Sequence, residues 1–451
     1  MRSAAAGVLA VAAMVCMGPS LFGQDSTRRP AMERHVLVIS LDGMGADFYS
    51  QVPKARVPNL ERLRAEGSFA EAVEGVYPTV TYPSHTTIVT GRTPAVHGIY
   101  SNLSSREAGK PSEDWFWFAK DIKVPTLWDE AHRARLTSAA VSWPVTVGAQ
   151  IDWCVPEYWE PGKSAQTDLK FLARYSTPGL VQEVTQALWP LLAGVDPDTL
   201  RTRVAAYVLK KYRPNLLLLH LSNPDHVEHE KGPASPEAAK ALEASDTRIG
   251  DMLKAVWEAG MANSTDVFIV SDHGFLSADH DIRPNVLLVK AGLLSVNSGG
   301  QLTGGKVATL SNGGSFFIYW PDSQDLRGEV RTALKPLLDL TLVWGEFERT
   351  TLRELGADPA AQLALDAQVG YGFEAAAVGD LVALKSPGGR HGYLPYRPGL
   401  EASFIAWGPG IKRGVNLHRI RMTSEAPTIL KALGVTDPQF GEGPPLAEIF
   451  Q

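Results

Sequence analysis

The chain has 451 residues, 44% of them apolar and 20% charged, with a formal net charge of -6. That length allows a large buried core, and the balance of residues is ordinary for a globular protein. The acidic surplus excludes the basic footprint that nucleic-acid binding needs, so no such partner is expected.

The first residues read as an address. Met1-Arg2 is followed by an apolar run over residues 4–17, then by Gly18-Pro19-Ser20 and a polar stretch. This pattern predicts a secretory signal peptide over residues 1–24 and an exported protein, periplasmic or secreted. No other segment reaches spanning length, so no transmembrane domain is expected after its removal. Of the two cysteines, Cys16 falls in the leader and Cys154 stands alone, so no internal disulfide is expected.

From residue 33 onward a single catalytic unit is expected. Residues 35–41 form a nearly continuous apolar run ending in Asp42-Gly43, as in a strand buried on both faces of a parallel sheet. Pro58 and Gly67 bracket a helix. The stretch Tyr77-Pro-Thr-Val-Thr-Tyr-Pro-Ser-His85 places two threonine hydroxyls between prolines, at the mouth of a helix. A helix over 124–135, a strand over 138–143 and a helix over 200–211 follow. A second buried strand, 215–221, leads to Asp225 and His229. A long helix over 235–260 precedes a third buried strand, 266–270, which leads to Asp272-His273-Gly274. Residues 295–378 break the rhythm with glycine pairs and short strand-like pieces, and read as a capping insertion. The main fold is expected to resume at 380–384, ahead of His391, and at 403–407. Alternating strands and helices predict an α/β protein in three layers, α/β/α, around a mainly parallel sheet.

Three aspartates and three histidines therefore follow strands, where open α/β sheets place their ligands. Three converging carboxylates would repel one another without a cation, and their pKa values would rise. Imidazole and carboxylate donors without thiolates favour Zn²⁺. Six such groups and a hydroxyl suit two ions, which together can activate a hydroxyl and support an in-line phosphoryl displacement. The residues alone leave Thr79 and Thr81 open as the hydroxyl. His85, His97, His220, His226 and His280 read as packing or turn histidines.

Taken in order, Val38-Ile-Ser-Leu-Asp-Gly43, Tyr77–His85, Ile88-Val-Thr-Gly91, His97-Gly-Ile-Tyr-Ser-Asn102, Pro224-Asp-His-Val-Glu-His-Glu-Lys-Gly-Pro233, Val270-Ser-Asp-His-Gly274 and His391-Gly-Tyr393 resemble the nucleotide pyrophosphatase/phosphodiesterase family of the alkaline phosphatase superfamily. The resemblance implies an alkaline-phosphatase-like fold and two zinc ions. One would be held by Asp225, His229 and His391, the other by Asp42, Asp272, His273 and the nucleophile. It implies Thr81 as that nucleophile, through a phospho-threonine intermediate, and Asn102 as the donor to the phosphate. Ser84, Tyr82, Phe275 and Glu228 depart from the family pattern without removing a ligand.

The expected substrate is a small phosphodiester, of nucleotide type, with a phosphomonoester as the alternative and a non-catalytic binding protein more remote. A monoesterase needs extra positive charge, and Arg92, Arg106 and Lys231 lie near the motifs. Tyr82 is expected to wall the substrate pocket. Trp115-Phe116-Trp117-Phe118, Trp153, Tyr158 and Trp159 supply either a stacking pocket or packing beneath the cap.

Overall fold

Strands covered on both faces need apolar side chains on both faces. His35–Leu41, Leu216–Leu221 and Thr265–Val270 meet that requirement, with every residue buried. The computed structural model describes residues 34–48, 54–104, 115–160 and 167–451. In it these three strands are parallel neighbours, with His35–Leu41 in the middle. Ser138–Val141 and Trp153–Val155 extend the parallel set beyond Leu216–Leu221. On the other side Phe404–Trp407 runs antiparallel, followed by Ser68–Phe69 and Val415–Asn416, for eight strands in all.

Alternation along the strands feeds two separate cores. Leu37, Ile39 and Leu41 face Val204 and Val208 of helix Pro197–Tyr212 and Ile249 and Met252 of helix Pro236–Glu258. Val36 and Val38 face Ile88 and Val89 of helix Thr81–Thr90 and Ile429 of helix Glu425–Ala432. The result is an α/β fold in three layers.

Ala308–Ser311, Ser315–Tyr319, Leu363–Ala367 and Val343–Glu348 build a second, antiparallel sheet with helix Arg327–Asp339 against it. One expectation changes here. Val382–Arg390 does not rejoin the main sheet; it pairs antiparallel with Leu276–Ile282, and the chain returns to the main sheet only at Phe404–Trp407. The reason is burial: Leu384 is 78% exposed, which a strand covered on both faces would not allow. The leader expected over residues 1–24 lies outside the described residues. Among those described, no helix is long and apolar enough to cross a membrane.

Candidate active site

Helix Thr81–Thr90 has a sequence that does not favour helix, with four threonines and a proline in ten residues. It forms because all ten residues are buried and because its hydroxyls turn inward. Thr86, Thr87 and Thr90 donate to the carbonyls four residues back, at 2.7, 3.0 and 2.7 Å. Gly91, at φ 65°, closes the helix with its N–H on the Thr87 carbonyl. The helix starts at Thr81, two residues before Pro83, so Thr81 is the first helical residue.

The two threonines differ in their surroundings. Thr79 is fully buried; its hydroxyl donates to the Tyr393 carbonyl at 2.9 Å and accepts from the Gly392 N–H at 3.0 Å. Thr81 lines a cavity of about 390 Å³, together with Asp42 and Asp225. The Asn102 Oδ1 accepts from the Tyr82 N–H at 2.9 Å, which sets this amide beside the helix start.

Asp42 follows its strand directly, and Asp225 and His229 are one turn apart on helix Asn223–Lys231. Asp225 Oδ1 lies 3.4 Å from His229 Nε2 and 3.6 Å from His391 Nε2, and the two nitrogens are 3.1 Å apart. His273 Nε2 lies 3.6 Å from Asp42 Oδ1 and 3.2 Å from Asp272 Oδ2. Donors on a tetrahedral Zn²⁺ at ~2.05 Å would stand about 3.3 Å from one another. Asp225, His229 and His391 thus gather as one possible set, and Asp42, Asp225 and His273 as another. Asp272 sits beside the second set, its Oδ1 accepting from the Gly43 N–H at 3.1 Å.

Two further observations fit cations in these positions. Asp42 Oδ1, Asp225 Oδ1, Asp272 Oδ2 and both ring nitrogens of His273 are buried without a hydrogen-bond partner. Such atoms are rare in folded proteins and call for an explanation. The ring tautomers also point to a shared ligand. His391 Nδ1–H donates to the Thr79 carbonyl at 2.9 Å and His229 Nδ1–H to the Gly389 carbonyl at 3.3 Å, which leaves each Nε2 a lone pair.

The electrostatics agree. Burial, and then the neighbouring Asp225, push the Asp42 carboxyl well above the usual carboxylate range. Burial and then Asp42 do the same to Asp272. For Asp225 the lift from burial is outweighed by His229, His391 and His273, and its carboxyl ends below that range. His391 is pushed down to about 4, first by burial and then by His229. Burial first, then His391, holds His273 well below the usual imidazole value. Neutral imidazoles and strained carboxyls are the state that cation binding relieves.

The aromatic residues divide. Tyr82 lines the cavity but is fully buried, with its ring edge-on to Trp115 and Trp117. Trp115 and Trp159 reach the cavity, Phe116 and Trp117 are core, and Trp153 stacks on Tyr212 at 4.5 Å, away from the site. Phe275 packs edge-on against His229, His273 and His391 as an apolar backing.

Arg92 donates to the Gln439 carbonyl and Lys231 borders a different cavity, so neither lines this one; Arg106 lies outside the described residues. Two groups are missed by the sequence reading. His220, read as packing, bonds Asp42 Oδ2 through Nε2 at 3.0 Å. Glu157 bonds the other side of that ring at 2.8 Å and had no signal beyond its place two residues after an edge strand.

A parallel sheet with carboxylates and imidazoles gathered beyond its strand ends, beside a helix-start hydroxyl, defines a candidate metal-dependent hydrolase. The chain matches the family model described as type I phosphodiesterase / nucleotide pyrophosphatase over residues 36–393, and it belongs to that family. Venom phosphodiesterase 2 of Crotalus adamanteus is 28% identical over 281 residues, 58% of this chain and 30% of the relative. Ectonucleotide pyrophosphatase/phosphodiesterase family member 1 of Mus musculus is 25% identical over 407 residues, 84% of this chain and 38% of the relative. The chain thus spans well under half the length of these curated relatives. Among solved structures, human ectonucleotide pyrophosphatase / phosphodiesterase 5 matches with a TM-score of 0.64 at 18% identity, covering 91% of this chain and 97% of that one. The murine form matches with a TM-score of 0.63 at 18% identity, covering 93% and 100%. The fold is therefore the alkaline-phosphatase-like α/β fold of those proteins.

Proposed function

We propose that this protein hydrolyses phosphodiester or pyrophosphate bonds of small, nucleotide-type substrates, with Thr81 as nucleophile. The observation that carries the reading is the gathering of two sets of carboxylate and imidazole donors, which share Asp225 and hold buried, unpartnered atoms on Asp42, Asp225 and His273, where Asp42 and Asp225 line one cavity with Thr81. In this reading Asp225, His229 and His391 hold one zinc ion, and Asp42, Asp272 and His273, with Thr81, hold a second. When bound, the ions supply Lewis acidity, favouring the ionised hydroxyl and offsetting charge on the phosphoryl group.

The protein's own groups do the rest. Thr81 Oγ attacks phosphorus, the bond to the leaving oxygen breaks, and a phospho-threonyl ester results, which water then hydrolyses. Splitting the displacement in this way replaces one difficult step by two easier ones. The start of helix Thr81–Thr90 favours a phosphate oxygen through its free N–H groups and dipole. Asn102, with Oδ1 taken by Tyr82, keeps its NH₂ to donate to a non-bridging oxygen.

Thr79 is a poor nucleophile because both hydrogen-bonding roles of its hydroxyl are filled. A diester suits the site better than a monoester dianion, because no Lys or Arg is among the described residues lining the cavity. A nucleotide suits the faces of Trp115 and Trp159. The murine neighbour, as an inactive threonine-to-alanine variant, was solved in complex with AMP. The leader-like start supports an exported location.

Turnover of bis-p-nitrophenyl phosphate, p-nitrophenyl phosphate and the p-nitrophenyl ester of thymidine 5′-monophosphate, with and without chelator, tests the reading. Both diesters are expected to turn over faster than the monoester, and only with metal present. Faster monoester turnover overturns the diesterase assignment.

A further inference from the structure

One wall of the cavity holds a run of four buried groups, three of which the proposed chemistry leaves unused. The Tyr82 hydroxyl donates to Glu157 Oε1 at 2.9 Å. Glu157 Oε2 lies 2.8 Å from His220 Nδ1, and His220 Nε2 lies 3.0 Å from Asp42 Oδ2. All four residues are buried, at 0%, 6%, 1% and 3% exposure in that order. The run starts on the residue after Thr81 and ends on a candidate ligand of the second cation.

The geometry is specific about which oxygen is used. A carboxylate with both oxygens free rotates and offers either one, or both, to a cation. Here His220 occupies Oδ2, while Oδ1 has no hydrogen-bond partner and faces His273 Nε2 at 3.6 Å. The His220 ring is itself held on three sides. Its Nδ1 meets Glu157 and, at 3.1 Å, the Ser142 carbonyl. The His85 ring stands 4.4 Å from it, centroid to centroid, anchored to Ser40 Oγ at 2.9 Å. Glu157 is fixed in turn by Tyr82. A buried polar run whose members are bonded to one another is rigid and fixes their orientation.

We infer that Glu157 and His220 are positioning residues, which hold Asp42 with one oxygen turned to the second cation site. Tyr82 is the far anchor of this run, which gives its buried ring a role other than stacking on substrate. The inference rests on the two-cation reading above.

The test is zinc titration of the metal-free protein in competition with a chromophoric chelator, with metal content measured after gel filtration. Outer partners of metal ligands typically contribute 10–100-fold to affinity. Wild type is expected to bind two zinc ions per chain. His220→Ala and Glu157→Ala are expected to weaken one site by roughly 10–100-fold and leave the other unchanged. His220→Gln, whose amide N–H still reaches toward Asp42, is expected to recover most of the loss, and it also carries the test if the alanine variants do not fold. In an Asp42→Asn background His220→Ala should add nothing, as expected for two residues acting through one group. Two tight sites in wild type with unchanged affinities in all variants, or equal losses at both sites, overturn the inference. A wild type that binds no zinc overturns the two-cation reading and this inference together.

Discussion

His229 Nε2 and His391 Nε2 lie 3.1 Å apart although 162 positions separate the residues. Both nitrogens present lone pairs, because each ring has spent its Nδ1–H on a carbonyl. Two lone pairs at this distance repel unless something positive lies between or beside them. The Asp225 carboxylate, 3.4 and 3.6 Å away, completes a set that a cation would satisfy.

Metal should therefore hold the fold together as well as serve chemistry. A ligand at 100 times its Kd adds about 2.7 kcal/mol to stability. Chelator-treated protein is expected to melt several degrees lower than protein with zinc restored, as read by calorimetry. Identical melting curves would count against the site.

Asn102→Ala removes the proposed phosphate donor. Loss of one such donor typically lowers kcat by ~10²–10³-fold. A fall in kcat of that order for bis-p-nitrophenyl phosphate is expected, with metal content unchanged. A wild-type kcat would remove Asn102 from the site.

Trp115→Ala and Trp159→Ala test the base-stacking wall. Stacking on an aromatic side chain is worth ~1–3 kcal/mol per base. The thymidine ester is expected to lose roughly 5- to 150-fold in kcat/KM relative to bis-p-nitrophenyl phosphate. Equal losses on both substrates would assign these residues to packing.

His97 gives a pH prediction independent of metal. Burial pushes its imidazole down to about 3. Its Nδ1 accepts from the Ile99 N–H at 3.1 Å and its Nε2 lies 3.1 Å from the Thr87 hydroxyl, an arrangement suited to the neutral ring. The unfolded chain takes up a proton here near pH 6.5, whereas the folded one resists until about pH 3. Between those values the unfolded state holds more protons, so this residue's contribution falls as pH falls, by at most about 1.4 kcal/mol per pH unit. Denaturant unfolding across that window should show a shallower dependence in His97→Asn. An unchanged slope would contradict it.

The sequence made some of this legible for a physical reason. Strands buried on both faces must be largely apolar, so residues 35–41, 216–221 and 265–270 stand out, and Asp42, Asp225 and Asp272 are visible just past them. The strand before His391 was read into the wrong sheet, because a short strand shows its own pattern but not its partner. Helix Thr81–Thr90 forms against its propensity because its surroundings bury it. The link from Glu157 through His220 to Asp42 depends on residues 63 and 178 positions apart, and no local pattern encodes such a meeting.

Thr81, beside the two donor sets, is the proposed nucleophile. Its most direct test is kcat/KM on bis-p-nitrophenyl phosphate for Thr81→Ala and Thr79→Ala, each with its zinc content verified. Thr81→Ala is expected to abolish turnover, and Thr79→Ala, provided it folds, to retain a substantial part. Full activity in Thr81→Ala, above all with loss in Thr79→Ala, would contradict it.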